Sequence, residues 1–185
     1  MRKLGFILLS LLYPMIIMGQ TVSYNFEDGS LEGWMQFPEN RWEALDTSPI
    51  NGSFSLQHNH CSPTENGIDR ISVPLPAWDE NTGSITWRFL LKHTYAPSSM
   101  NHWVVFLTSD VGAEGMIAAG NPNGYAIGVN LVSANDILTL YRVTNGSFTA
   151  ILSTAINWET DIGTTQSSVG AVEVERKFDG TFIVR

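Results

Sequence analysis

Ser84-Ile-Thr-Trp-Arg-Phe-Leu-Leu-Lys92 sets Ile85, Trp87, Phe89 and Leu91 on one side of an extended chain and Ser84, Thr86, Arg88 and Lys92 on the other. Successive side chains of a strand point to opposite faces, so this alternation reads as a half-buried β-strand. Gly124-Tyr-Ala-Ile-Gly-Val-Asn-Leu131 repeats the rule. Tyr125, Ile127, Val129 and Leu131 share one face, with Ala126, Gly128 and Asn130 opposite. In the segment Val169 to Arg176, Val172 and Val174 face away from Glu173 and Glu175. His102-Trp-Val-Val-Phe-Leu107 is apolar on both sides, which predicts a central strand covered by a second sheet or by loops.

Between these runs stand Asp28-Gly29, Asn51-Gly52, Asn66-Gly67, Asn123-Gly124, Asn145-Gly146 and Asp179-Gly180, dipeptides that tolerate positive φ and make tight reversals. Pro74 and Pro76 flank Leu75 and predict a strand end or a sheet edge. No window after the first nineteen residues sustains apolar residues at i, i+3, i+4 and i+7. Many short strands joined by turns predict an all-β fold, an antiparallel β-sandwich of jelly-roll type.

The first nineteen residues read as an export signal, with Arg2 and Lys3 before an apolar run from Leu4 to Met18 and a small residue, Gly19, before a cleavage point at Gln20. That run is shorter than the roughly 20 residues a membrane span needs. The expected organisation is a signal peptide over 1–19 and a β-sandwich domain over 20–185, secreted or displayed at the cell surface. Phe178-Asp-Gly-Thr-Phe-Ile-Val-Arg185 reads as a hairpin whose second strand has just begun, and predicts a sandwich that continues beyond residue 185. A true edge strand is the alternative.

Loss of the signal peptide leaves eight cations against 18 carboxylates, a formal charge of −10 in place of −8. Nucleic acids and anionic membranes reward clustered Lys and Arg, so neither is an expected partner. Cys61 is the only cysteine, so stability comes from core packing rather than an internal disulfide. Six Trp, nine Phe and five Tyr supply that core.

Tyr24-Asn-Phe-Glu-Asp-Gly-Ser-Leu-Glu-Gly-Trp34 resembles the opening of many bacterial carbohydrate-binding jelly rolls, and Asn51-Gly-Ser-Phe-Ser-Leu56 is similar to the strand that follows there. The segments Trp87 to Trp103, Gly124 to Val129, Leu138 to Arg142 and Val172 to Arg176 resemble concanavalin A-like, laminin G-like sandwiches of secreted bacterial surface proteins. The resemblance implies a sandwich fold, an extracellular recognition or spacer role and, in some members, a structural Ca²⁺. Function follows less directly, because these folds carry lectins, hydrolases and spacers alike.

Glu27 and Asp28, beside Gly29, offer hard oxygen ligands for Ca²⁺; an Asp-Gly turn with a solvated carboxylate is the alternative. His58-Asn-His60-Cys61 places two imidazoles at a chelating spacing, but no third ligand is identifiable, so polar surface histidines are the default. The loop from His93 to Trp103 mixes Tyr95, Asn101, His102 and Trp103. An aromatic face for the C–H side of a sugar and an amide for its hydroxyls make Tyr95, Asn101 and Trp103 candidate glycan contacts, although Trp103 also opens an apolar strand. Trp42, beside Arg41 and Glu43, and Trp78, after Ala77, are the tryptophans placed best for a surface platform; Trp87 belongs to the core.

Catalysis needs a positioned carboxylate pair or a nucleophile with its base. The Glu-x-Asp-x-x-Glu strand that hydrolases of this broad fold present is missing, and Glu173 with Glu175 reads as an exposed strand face. Asn51-Gly-Ser and Asn145-Gly-Ser have the form of glycosylation sequons but read first as hairpin turns. The expected function is a non-catalytic, extracellular carbohydrate-binding or adhesion module. A spacer or protein-interaction domain of a larger surface protein is the alternative, and a glycoside hydrolase fragment stands behind both.

Overall fold

A computed structural model of the chain describes residues 20–60, 67–79 and 83–185. The signal segment and Cys61 lie outside the described residues. The strands are β1 (Met35–Phe37), β2 (Trp42–Leu45), β3 (Ser55–His58), β4 (Arg70–Ser72), β5 (Ile85–Leu91), β6 (Val104–Ser109), β7 (Gly124–Gly128), β8 (Ile137–Thr144), β9 (Ser147–Asn157), β10 (Gly170–Arg176) and β11 (Phe182–Val184). Helical turns are confined to Ala113–Gly115, Ala118–Gly120 and Trp158–Ile162 among the described residues. The fold is all-β, as the alternating pattern predicts.

Every strand pairing among the described residues is antiparallel. A four-stranded sheet has the order β6-β7-β8-β9 and a three-stranded one the order β11-β10-β5. Two-stranded sheets join β1 to β4 and β2 to β3. Trp87 pairs with Val174 and Phe89 with Val172, so the apolar faces of β5 and β10 coincide. On the opposite face Arg88 sits across from Glu173, its Nε 2.6 Å from the carboxylate, and Arg185 also donates to Glu173.

One core joins the two larger sheets. Leu107, Ile127, Val129, Leu138 and Leu140 come from the four-stranded side, Val172 and Val174 from β10, with Trp87, Phe89 and Leu91 packed against them. Burying each aliphatic side chain contributes about 1.5–3 kcal/mol. Trp158, carried in by the turn after β9, is 1% exposed, and Trp103 meets it nearly edge to face at 4.6 Å between ring centres.

Turn chemistry closes the hairpins as read. Asn145 (φ 48°) and Gly146 (φ 75°) form the two-residue loop between β8 and β9, both with the positive φ that a hairpin of right-handed twist favours. β10 and β11 form the hairpin expected around Asp179-Gly180, where the Gly180 amide donates to the Lys177 carbonyl. β4 ends at Ser72, ahead of Pro74 and Pro76.

Two strands depart from the sequence reading. Among the described residues β6 is not central but the terminal strand of its sheet. Its apolarity on both faces has another cause: Leu107 enters the core while Phe106 packs on Phe148, 5.8 Å away, on the other face. β9 has no clean alternation and was not foreseen. Its pairing with β8 shifts register twice, so successive side chains do not hold one face along its length.

Candidate functional site

One open concavity lies where β6 ends and β7 begins. A register shift between Phe106 and Thr108 sets Thr108 opposite Tyr125 and Ser109 opposite Gly124. The turn that follows is locked by one side-chain pair. Asn123 donates its backbone N–H to Asp110 Oδ1 at 2.7 Å and its side-chain N–H to Oδ2 at 2.8 Å, while its Oδ1 accepts the Asn145 N–H at 3.0 Å. The Asn123 backbone N–H, then its side-chain amide, holds the Asp110 carboxyl below the usual carboxylate range.

Tyr125 lies on the core side of β7, its ring 4.8 Å from that of Phe182. Trp78, on the extended segment after β4, completes the wall from a part of the chain distant in sequence. Its ring meets Trp87 edge to face at 6.2 Å, and the Arg176 guanidinium sits 5.8 Å from its centre. Trp78 nevertheless keeps 37% of its surface exposed. Trp78, Asp79, Thr108, Ser109, Asp110, Asn123 and Tyr125 together line an open groove of about 510 Å³. Aromatic rings beside carboxylate, amide and hydroxyl groups can bind the apolar and hydroxyl faces of one ligand at once.

Of the residues singled out from the sequence, Trp78 alone lies in this groove. Trp42 lines a smaller one of about 350 Å³ with Leu31, Gln36 and Asn40. There the Gln36 side chain is taken up by the backbone, accepting from Arg41 and Trp42 N–H and donating to the Trp42 carbonyl at 2.9 Å each. The Trp42 ring lies 5.0 Å from that of His58.

Tyr95 is 63% exposed, but Trp103 turns inward onto Trp158, and the Asn101 side chain donates to the Ala96 carbonyl at 3.2 Å. Asn101 also bonds His93, whose pKa burial pushes below the ordinary histidine value. These contacts tie Asn101 and Trp103 to the protein itself.

The Glu27 carboxylate accepts the Ser53 N–H at 2.9 and 3.1 Å, and Asp28 Oδ1 accepts the Ser30 N–H at 3.0 Å. The backbone N–H of Ser53 thus faces both Glu27 oxygens. A Cβ on Gly52 would stand 2.0 Å from Glu27 Oε1, so the glycine makes room for this brace. His58 Nε2 lies 2.7 Å from Asp69, with Arg41 on the other carboxylate oxygen at 3.6 Å. Among the described residues no group of three or more His, Cys, Asp and Glu is placed to hold a metal, and no helix is long and apolar enough to cross a membrane.

Asp79, Thr108, Ser109, Asp110, Asn123 and Tyr125 were not foreseen as one site. Asn123-Gly124 was visible as a turn and Tyr125 as a core-facing residue, but nothing local linked either to Trp78. No protein-family model, curated protein or solved structure matches this chain.

Proposed function

We propose that the chain is a non-catalytic carbohydrate-binding module, an exported β-sandwich of jelly-roll type, whose ligand lies in the groove between Trp78 and Tyr125. The observation that carries this reading is the union, in one open groove, of two aromatic side chains with the Asp110–Asn123 pair. Sugars present a C–H face that stacks on rings and hydroxyls that bond carboxylate and amide oxygens.

The same pair speaks against acid catalysis there. A glycosidase general acid needs a raised pKa, whereas the N–H groups of Asn123 lower that of Asp110. The two antiparallel sheets around one core support the sandwich reading, and the basic then apolar opening of the sequence supports export.

A glycan array probed with the purified chain, in Ca²⁺ and again in EDTA, tests the proposal. Saturable binding that Trp78→Ala weakens about tenfold or more, with the melting temperature retained, is the expected result. The EDTA arm reads out any calcium dependence. Absence of binding by the folded chain would move the function to protein interaction. The exposed Tyr95 and Met100 (63% and 82%) of the loop before β6 favour that second reading.

A further inference from the structure

We infer that Asn51 is a self-modifying site, which loses its side-chain amide through attack by the Gly52 backbone nitrogen and thereby loosens the brace between Glu27 and Ser53. The inference is independent of any ligand in the groove.

Asn51-Gly52 lies in the loop before β3, and residues 51–53 are all exposed. The fold demands glycine at position 52. Its φ is +68°, in the left-handed region, and a Cβ there would stand 2.0 Å from Glu27 Oε1. Glycine also leaves its own nitrogen the least shielded of any residue, because no side chain stands over it. The close approach to Glu27 therefore sets an open backbone nitrogen directly after an exposed asparagine.

Hydrogen bonding separates this pair from the two other Asn-Gly turns that the structure describes in full. Gly146 donates its N–H to the Pro122 carbonyl at 3.0 Å, although Asn145 is itself exposed. At Asn123 both ends of the side-chain amide are engaged, the nitrogen on Asp110 Oδ2 at 2.8 Å and the oxygen on the Asn145 N–H at 3.0 Å. In the loop before β3 the bonds begin one residue later, where the Ser53 N–H meets Glu27. Among the described residues the Asn51 side chain and the Gly52 N–H take none.

The Gly52 nitrogen gives up its proton to water and bonds to Asn51 Cγ, and the C–N bond of the side-chain amide breaks with release of ammonia. Water then opens the five-membered imide at either carbonyl, to aspartate or to isoaspartate. Either product carries a new carboxylate one residue from the Glu27 contact, where like charges repel. Isoaspartate also lengthens the main chain by a methylene just ahead of the Ser53 N–H.

Each hydrogen bond that must open before the ring closes slows it about fivefold. Asn51 should therefore convert at least about fivefold faster than Asn145, held by one such bond, and about 25-fold faster than Asn123, held by two.

The test incubates the purified chain at mildly alkaline pH in heavy-oxygen water and follows each asparagine by peptide mass spectrometry. Asn51 should convert first, by those ratios, with one heavy oxygen taken up per event. In denaturant the ratios should collapse toward equality, because the protecting bonds are gone. The converted chain should melt below the fresh one, whereas Asn51→Gln, whose longer side chain closes a ring far more slowly, should keep its melting temperature through the same incubation. Asn51 intact while Asn123 or Asn145 converts, or all three converting alike in the folded chain, would overturn the inference. Conversion of Asn51 with an unchanged melting temperature would overturn its link to the brace.

Discussion

Gly170 opens β10 against the face of Trp158, and replacing it with alanine tests the packing at the centre of the fold. A Cβ there would lie 2.3 Å from Cη2 of Trp158 and 3.0–3.1 Å from its neighbours Cζ3 and Cζ2. No carbon pair tolerates 2.3 Å, so either the indole or the start of β10 must move. The indole is 1% exposed and already in contact with Trp103, which leaves it little room.

Overpacking of this kind costs about 1–3 kcal/mol. The φ of Gly170 lies outside the left-handed region, so alanine also removes unfolded-state freedom, worth about 0.4–1 kcal/mol in the opposite sense. The net expectation for Gly170→Ala is a loss of about 1–2 kcal/mol, or about 2–8 °C in melting temperature for a chain of this size. Urea unfolding followed by tryptophan fluorescence measures it, as a lower midpoint at unchanged m.

Gly83→Ala is the control, because among the described residues nothing stands within 4 Å of its Cβ position and its φ is also outside the left-handed region. It should leave stability unchanged or slightly higher. In a Trp158→Phe background the Gly170→Ala penalty should shrink, since the clashing atoms belong to the six-membered ring of the indole. Gly170→Ala as stable as the parent, or a penalty undiminished beside Trp158→Phe, would refute the packing argument.

Trp103→Ala should cost about 3 kcal/mol by removing a ring from the core, and the loss should appear in denaturant unfolding rather than as a selective loss of ligand binding. Glu27→Ala removes the acceptor of the Ser53 N–H and should lower stability by about 0.5–1.5 kcal/mol in calcium and EDTA alike; a loss confined to calcium would place Glu27 in a metal shell instead. The melting temperature should fall as pH drops from 7.5 toward 5. Burial lowers the folded pKa of His93, so the unfolded chain takes up the proton first; the stability held above the unfolded histidine value is lost on acidification, and His93→Gln should flatten that part of the profile. At lower pH the carboxylates add the same sign. Glu173, held low by hydrogen bonds from Arg88 and then Arg185, with Asp110 and Asp179, binds protons more readily unfolded, so stability present above the ordinary carboxylate range is lost on descent through their folded values.

The sequence by itself determined what depends on neighbours along the chain. Alternation over 85–91 and 170–176 assigned inward and outward faces, because consecutive side chains of a strand must point opposite ways, and the faces of β5 and β10 follow it. Asn145-Gly146 and Asp179-Gly180 located two hairpins, because few residues accept positive φ.

Only the tertiary structure decided which strand stands beside which, and hence where the side chains of loops end up. Apolar residues on both faces made β6 look central, since burial by a loop or by an aromatic neighbour leaves the same pattern as burial by a sheet. Trp103 suits a binding loop and a core equally well by composition; its contact with Trp158, more than fifty residues away, chose the core. Glu27 has the chemistry of a calcium ligand by composition, and its acceptance of the Ser53 N–H is visible only in the folded chain. The groove draws on residues 78–79, 108–110 and 123–125, three stretches without mutual periodicity, which meet because the sheets pack as they do. Strand faces and turns arise from short-range sterics, whereas a binding surface is set by long-range packing, and no local pattern encodes that packing.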